Sequence, residues 1–248
     1  MEKYGAGDSY IMYDVLEDDT LILERLKSEI NFREVMHRGG KIPRLFAVQC
    51  IIENNREPIY RHPIDEEVKS EEMSETVLSI KDRIESLLGR EHFFNHVLIQ
   101  LYRDGKDNIS EHSDKMLDIS RGSVIVNFSL GRERVMTLRS KEMMMSLEDK
   151  RCISSVGRDI QRVYLRNNSL FVMGSETNRL YTHGIKSDSG ISEERVSLTF
   201  RSVATFRDLR TGELVGQGSG WNDNERILYA FREENRTVKT WDEIYKKD

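Results

Sequence analysis

His112 and Asp114 stand two residues apart in Ile109-Ser-Glu-His-Ser-Asp114. In extended chain, residues at that spacing project to one face, so an imidazole and a carboxylate reach toward the same point. His183, in Tyr181-Thr-His-Gly-Ile185, offers a second imidazole in another β-type run. Two imidazoles and one carboxylate on one face of an octahedron leave three positions open. That suits Fe(II) when a co-substrate and O2 must bind together. The His-x-Asp tripeptide by itself is common by chance, so its weight depends on what accompanies it. Arg195 opens Arg195-Val-Ser-Leu-Thr-Phe-Arg201, in which Val196, Leu198 and Phe200 alternate in the opposite phase. 2-Oxoglutarate chelates a metal through its C1 carboxylate and C2 keto oxygen, and its far carboxylate then needs a buried cation. The planar, permanently charged guanidinium fork of arginine meets that need. Arg201, six residues on, shares the Arg195 face.

The elements that must position these residues can be read from periodicity. Asp18-Asp-Thr20 followed by Leu21–Ile30 reads as a capped amphipathic helix, and Ser74 to Gly89 as a second, with Val77, Leu78, Ile80, Ile84, Leu87 and Leu88 on one side. From residue 95 short β-type runs take over: His96–Tyr102, Gly122–Leu130, Arg134–Arg139, Ser169–Met173 and Arg195–Arg201. Strands at this spacing predict a sandwich or barrel. A Gly-rich turn at Gly216–Gly220 precedes a helical tail from Arg226 to Tyr245. The expected class is α+β, mainly β, in one domain over 1–248: N-terminal helices and a lid over 1–94, a strand core over 95–206 and a helical extension over 207–248.

Composition limits the function classes. Net charge is −5 and the pI about 5.8. The charge is segregated: residues 1–30 carry eight acids and three bases, residues 65–77 six acids and one base, residues 31–64 six bases and three acids, and residues 131–166 nine bases and five acids. A basic face on an acidic protein is compatible with that distribution. Cys50 and Cys152 form no CxxC, so they are expected to be plain thiols in a reducing, intracellular setting, cytoplasmic or nuclear. Met1–Asp8 has no apolar run to act as a secretory leader. The longest apolar stretches, such as Phe46–Val48, fall far short of the ~20 residues a membrane span needs. Met143–Met145 reads as packing or a turn, and His37, His62, His92 and His96, without ligand-like spacing, as surface or lid residues.

Taken in order, Ile42-Pro-Arg-Leu45, Tyr102-x-x-Gly105, Ile109–Asp114, Val126-Asn-Phe-Ser-Leu-Gly131, Tyr181–Ile185 and Arg195–Arg201 resemble the AlkB-like family of Fe(II)/2-oxoglutarate dioxygenases, over about residues 41 to 206. The resemblance implies a double-stranded β-helix (jelly roll) core. It makes His112, Asp114 and His183 the iron ligands and catalytic centre, and Arg195, Arg201 and Tyr102 the co-substrate site. It implies Fe(II), 2-oxoglutarate and O2, with succinate and CO2 as products and a substrate C–H bond oxidised.

Two substrate readings follow. Met116 stands two residues after Asp114, where nucleic-acid demethylases of the family often carry an acid, and Gln100 stands where many members have Asn. The lid over Lys41–His62, with Arg44, Tyr60, Arg61 and His62 as substrate contacts beside Met116, holds few rings. These features and the acidic pI favour a small-molecule substrate, such as an amino-acid-derived or secondary metabolite. The alternative is oxidative demethylation of alkylated DNA or RNA. No membrane partner is expected.

Overall fold

Buried strands read here as alternation between an apolar and a polar set, both enclosed. In Arg195–Arg201 every residue is buried, yet Val196, Leu198 and Phe200 belong to one apolar cluster while Arg195, Ser197, Thr199 and Arg201 take the other face. Ile125–Gly131 repeats the pattern, with Val126, Phe128 and Leu130 against Asn127 and Ser129. A face that is polar and enclosed marks the wall of a cavity.

The computed structural model describes residues 2–17, 20–37, 40–62, 68–89, 92–142 and 157–246. Its strands in chain order are β1 Lys3–Tyr4, β2 Ser9–Tyr13, β3 Met36–His37, β4 Gly40–Lys41, β5 Leu45–Cys50, β6 Arg56–Pro58 and β7 Glu71–Glu72. There follow β8 His96–Tyr102, β9 Ile109–His112, β10 Ile125–Gly131, β11 Arg134–Ser140, β12 Ile160–Leu165, β13 Ser169–Met173, β14 Tyr181–Ile185, β15 Arg195–Arg201, β16 Thr205–Asp208 and β17 Leu214–Gly216. The helices are α1 Ile22–Glu29, α2 Glu75–Leu88, α3 Ser175–Leu180, α4 Asn224–Arg236 and α5 Trp241–Tyr245.

The larger sheet runs β1-β2-β13-β10-β15-β8-β5-β7 and the smaller β12-β11-β14-β9. They form the two faces of the expected jelly roll, and the class is α+β, mainly β. Outside the larger sheet lies α2. Its Val77, Ile80 and Ile84 pack on Val97, Ile99, Phe128, Val196 and Phe200, and each such burial contributes about 1.5–3 kcal/mol. Gly89 closes α2 at φ 112°, a conformation only glycine takes freely. Leu78, expected on the buried side, is exposed.

Two expectations need correction. Residues 1–94, expected as N-terminal helices and lid, also supply strands to the core: β2 pairs with β13 and β5 with β8, so both lie inside the main sheet. α1 begins at Ile22 with Leu21 at its N-cap. The tail is two helices, because Thr237 ends α4 in extended conformation and Thr240 restarts the chain with a capping box on Glu243. Asp18, Asp19, Met143–Met145 and Cys152 lie outside the described residues. Cys50 is buried, which pushes its thiol up to about 11, so it is an inert thiol.

Candidate metal and co-substrate site

His112 is the last residue of β9, and its Cα partner across the ladder is His183 on β14. Directly opposed strand residues bring their side chains together. The two rings stand 4.4 Å apart, centroid to centroid. Gly184 makes this pairing possible, because a Cβ there would lie 2.9 Å from the Ile109 carbonyl oxygen of β9. Asp114 lies past the strand end, in a loop rather than on the strand, so the two-residue periodicity is not what aims its carboxylate.

The Asp114 carboxylate is divided between two tasks. Its Oδ2 accepts from Nε and Nη2 of Arg201, at 3.1 and 2.8 Å. Its Oδ1 faces both imidazoles, 3.9 Å from Nε2 of His112 and 3.9 Å from Nε2 of His183. The Nδ1–H of His112 donates to the Ser110 carbonyl at 2.8 Å, which leaves a lone pair on Nε2. Burial pushes His112 down to about 3, with His183 adding to the effect, and burial lowers His183 as well. Burial alone would raise the Asp114 carboxyl, but Arg201 and the two imidazoles outweigh it and hold it at about 2. Two neutral nitrogens and an anionic oxygen therefore converge, with all three donor atoms within 4.8 Å of one another. That donor set fits a divalent cation, so the residues suit Fe(II).

Arg195 provides the second fit. It is 1% exposed, and among the described residues no carboxylate pairs with it. Its Nη2 donates to Asn127 Oδ1 at 3.1 Å and Ser129 Oγ at 2.7 Å, while Nε and Nη1 make no hydrogen bond. The Tyr102 ring lies 5.1 Å from the guanidinium carbon. Burial pushes Arg195 down to about 10, so it remains a cation, and a buried cation without a counter-ion is costly. A dianionic co-substrate would relieve that cost.

The cavity beside these groups has a volume of about 520 Å³. Tyr102, Asn127, Thr199, Arg201 and the three candidate ligands line it, as do His37, Lys41, Arg44, Tyr60 and His62. Tyr60 and His62 stack at 5.5 Å with 22° between their planes, and Arg201 lies 4.2 Å from the Tyr60 ring centre.

Two expected substrate contacts are not in the cavity wall. The Arg61 guanidinium turns away to the fully buried Asp118, at 2.6 Å, and to the carbonyls of Trp221 and Gly218. Met116 packs against the apolar cluster that holds Tyr102, Ile119 and Met136, and its N–H and carbonyl are both engaged by the C-terminal helices. His96 is buried rather than a surface or lid residue, 5.6 Å from the Tyr60 ring. Residues with no signature in local sequence complete the site. Asn178 of α3 accepts from the Asp114 N–H at 2.9 Å and donates to its carbonyl at 3.0 Å. Lys115, Lys141 and Glu234 form a buried charged cluster behind it, in which burial pushes Glu234 up to about 7 and Lys141 down to about 8. The small polar residues Asn127, Ser129, Ser197 and Thr199 could have been found from their two-residue spacing on otherwise apolar strands.

The buried histidines set a pH dependence. Burial pushes His62 down to about 4 and His96 well below the usual 6.5. Tyr60, Arg201, Asp114 and His112 surround the pair, and the cation among them adds to the effect. The unfolded chain therefore binds more protons than the folded one once pH drops below about 6.5, and stability falls through that window. The slope reaches up to about 1.4 kcal/mol per pH unit for each histidine. Thermal midpoints measured between pH 7 and 5 should fall, and His96→Leu should flatten the slope. An unchanged slope would mean that His96 titrates normally.

Residues 14–201 match the model of the 2OG-Fe(II) oxygenase superfamily. Over 124 residues the chain is 32% identical to the DNA oxidative demethylase ALKBH2 of Bos taurus, covering 50% of this chain and 42% of that protein. Over 125 residues it is 31% identical to the human alpha-ketoglutarate-dependent dioxygenase alkB homolog 3, covering 50% of this chain and 41% of that one. The matched region thus spans less than half of these relatives. The solved structure of OsALKBH1 superposes with a TM-score of 0.51 over 81% of this chain and 100% of that one, at 17% identity, a likeness of fold. No helix among the described residues is long and apolar enough to cross a membrane. A superfamily match that takes in every strand from β5 to β15, together with a His-Asp-His cluster and a buried, unpaired arginine, makes the conclusion plain: the chain belongs to the 2OG-Fe(II) oxygenase superfamily.

Proposed function

We propose that the chain is an oxidative demethylase of alkylated nucleic acid. The likeness to proteins named as a DNA oxidative demethylase and an alkB homologue carries this reading. The case for a small metabolite rested on Met116, an aromatic-poor lid and the acidic pI. Met116 lies outside the cavity wall, and the Tyr60–His62 ring pair lies on it, beside Lys41 and Arg44. A flat ring pair suits an unstacked base, and the exposed Lys41 suits a phosphate.

In this reading His112, Asp114 and His183 hold Fe(II). Arg195 takes the distal carboxylate of 2-oxoglutarate, with Tyr102 packed under it. Arg201 fixes the carboxylate of Asp114 so that only Oδ1 faces the metal. The bound metal supplies activation of O2, with 2-oxoglutarate leaving as succinate and CO2. One oxygen atom enters an N-methyl C–H bond, and the resulting hemiaminal releases formaldehyde and the unmethylated nitrogen.

The test is succinate formation by the Fe(II)-loaded protein with methylated and unmethylated oligonucleotides, alongside a panel of small metabolites. Methylated oligonucleotides should stimulate turnover and release formaldehyde. Their affinity should fall with salt, by roughly one log unit per log of salt for each phosphate contact. Stimulation by a metabolite alone, with no oligonucleotide binding at low salt, would restore the small-molecule reading.

A further inference from the structure

Four successive backbone N–H groups, from Ser113 to Met116, each donate to a side chain. Ser113 N–H donates to Asn235 Oδ1 at 2.9 Å, Asp114 N–H to Asn178 Oδ1 at 2.9 Å, Lys115 N–H to the Tyr60 hydroxyl at 3.0 Å, and Met116 N–H to Glu234 Oε1 at 2.8 Å. A loop whose backbone donors are met this way takes its shape from the side chains that meet them. Two of the four acceptors, Glu234 and Asn235, are neighbours on α4, more than a hundred residues away. The same helix holds Lys115, whose ammonium donates to Asn235 Oδ1 at 2.6 Å and to the Phe231 carbonyl at 3.0 Å. Trp241 of α5 donates its indole N–H to the Met116 carbonyl at 3.0 Å. Leu117, Trp221, Ile227, Phe231 and Tyr245 form an apolar cluster that seats the two helices against this loop.

We propose that α4 is a brace for the metal site, with Asn235 and Glu234 as positioning residues that act through the backbone of 113–116 to aim the Asp114 carboxylate. Neither touches the three donor atoms. Their effect is on how well Oδ1 is held facing the two imidazoles, and so on metal affinity. The proposal rests on Asp114 being a ligand.

The experiment is Mn(II) titration of the metal-free full chain by calorimetry, with the thermal midpoint of each metal-free variant recorded beside it. Asn235→Ala removes the acceptor for Ser113 and leaves Lys115 bonded to the Phe231 carbonyl. Mn(II) affinity should fall about tenfold or more, as when the groups that orient metal ligands are lost. Asn235→Asp, which keeps an oxygen in place, should bind within threefold of the parent. If Asn235→Ala does not fold, Trp241→Phe keeps the packing, loses one bond to the loop and should weaken Mn(II) binding severalfold. Mn(II) affinity within twofold of the parent in either folded variant, whatever its melting temperature, overturns the brace. Asp114→Ala in the same titration separates the two levels. It should lose Mn(II) binding, and parent-like binding would overturn the ligand assignment and the brace with it.

Discussion

Asp114→Ala should abolish Fe(II)-dependent turnover of 2-oxoglutarate and also unfold the protein at a markedly lower temperature, whereas His112→Ala should abolish turnover with little effect on melting. The two variants remove ligands of the same candidate site, but Asp114 has a second role. It is the partner of Arg201, and both side chains are nearly inaccessible, 6% and 3% exposed. Removing one member of such a pair leaves the other charge buried and uncompensated, which costs about 3–5 kcal/mol. His112 gives up a single hydrogen bond to Ser110, worth about 1 kcal/mol. Melting curves followed by circular dichroism, with a succinate assay on the same samples, separate the effects. Equal melting temperatures would show that the Arg201 pair contributes nothing to the fold.

Arg195→Met should raise the KM for 2-oxoglutarate about a hundredfold while leaving the ligand-free protein as stable as before, or more so. The loss of charge-assisted bonds to the distal carboxylate accounts for the first part, at about 1.5–3 kcal/mol per bond. The second part follows from what surrounds the arginine. Without a carboxylate it is a net cost to the empty protein, and an apolar residue of similar length removes that cost. The groups it leaves behind stay paired: Ser129 Oγ donates to Asn127 Oδ1, and Asn127 Nδ2 donates to Ser197 and Thr199 at 2.7 and 2.9 Å. Excess 2-oxoglutarate should raise the parent's melting temperature and leave that of Arg195→Met unchanged. A parental KM in the variant would mean that a different cation takes the carboxylate.

Local periodicity made the site's strands legible. His96–Tyr102 and Arg195–Arg201 have the bounds expected of them, because both are short β-type runs buried on both faces. Arg201 could be placed on the Arg195 face for the same reason. What lay outside local sequence was everything set by tertiary neighbours. That His183 stands opposite His112 is a matter of register between strands far apart in the chain. That Asp114 is aimed from a loop depends on Asn178 and Asn235, amides that no spacing singles out. The N-terminal strand Ser9-Tyr-Ile-Met-Tyr13 has no apolar–polar alternation in its sequence, and its alternating burial comes from pairing with β13. Position relative to a motif suggests Met116 as a substrate contact, whereas tertiary partners in α4 and α5 hold its backbone and it does not line the cavity.

The strand order has a kinetic consequence. Tyr13 pairs with Ser169, and the strand ending at Arg201 sits between one that starts at His96 and one that starts at Ile125. Few of these ladders are hairpins, so most of the loop-closure cost falls before any ladder can repay it. Helix α2, a local structure, forms early. The opposition of His112 and His183 must wait for β9 and β14 to find each other, and the aim of Asp114 must wait for α4 to dock. In refolding from denaturant, metal capture should therefore trail the recovery of helical signal and mark the end of the process, when the sheets have closed around the cavity.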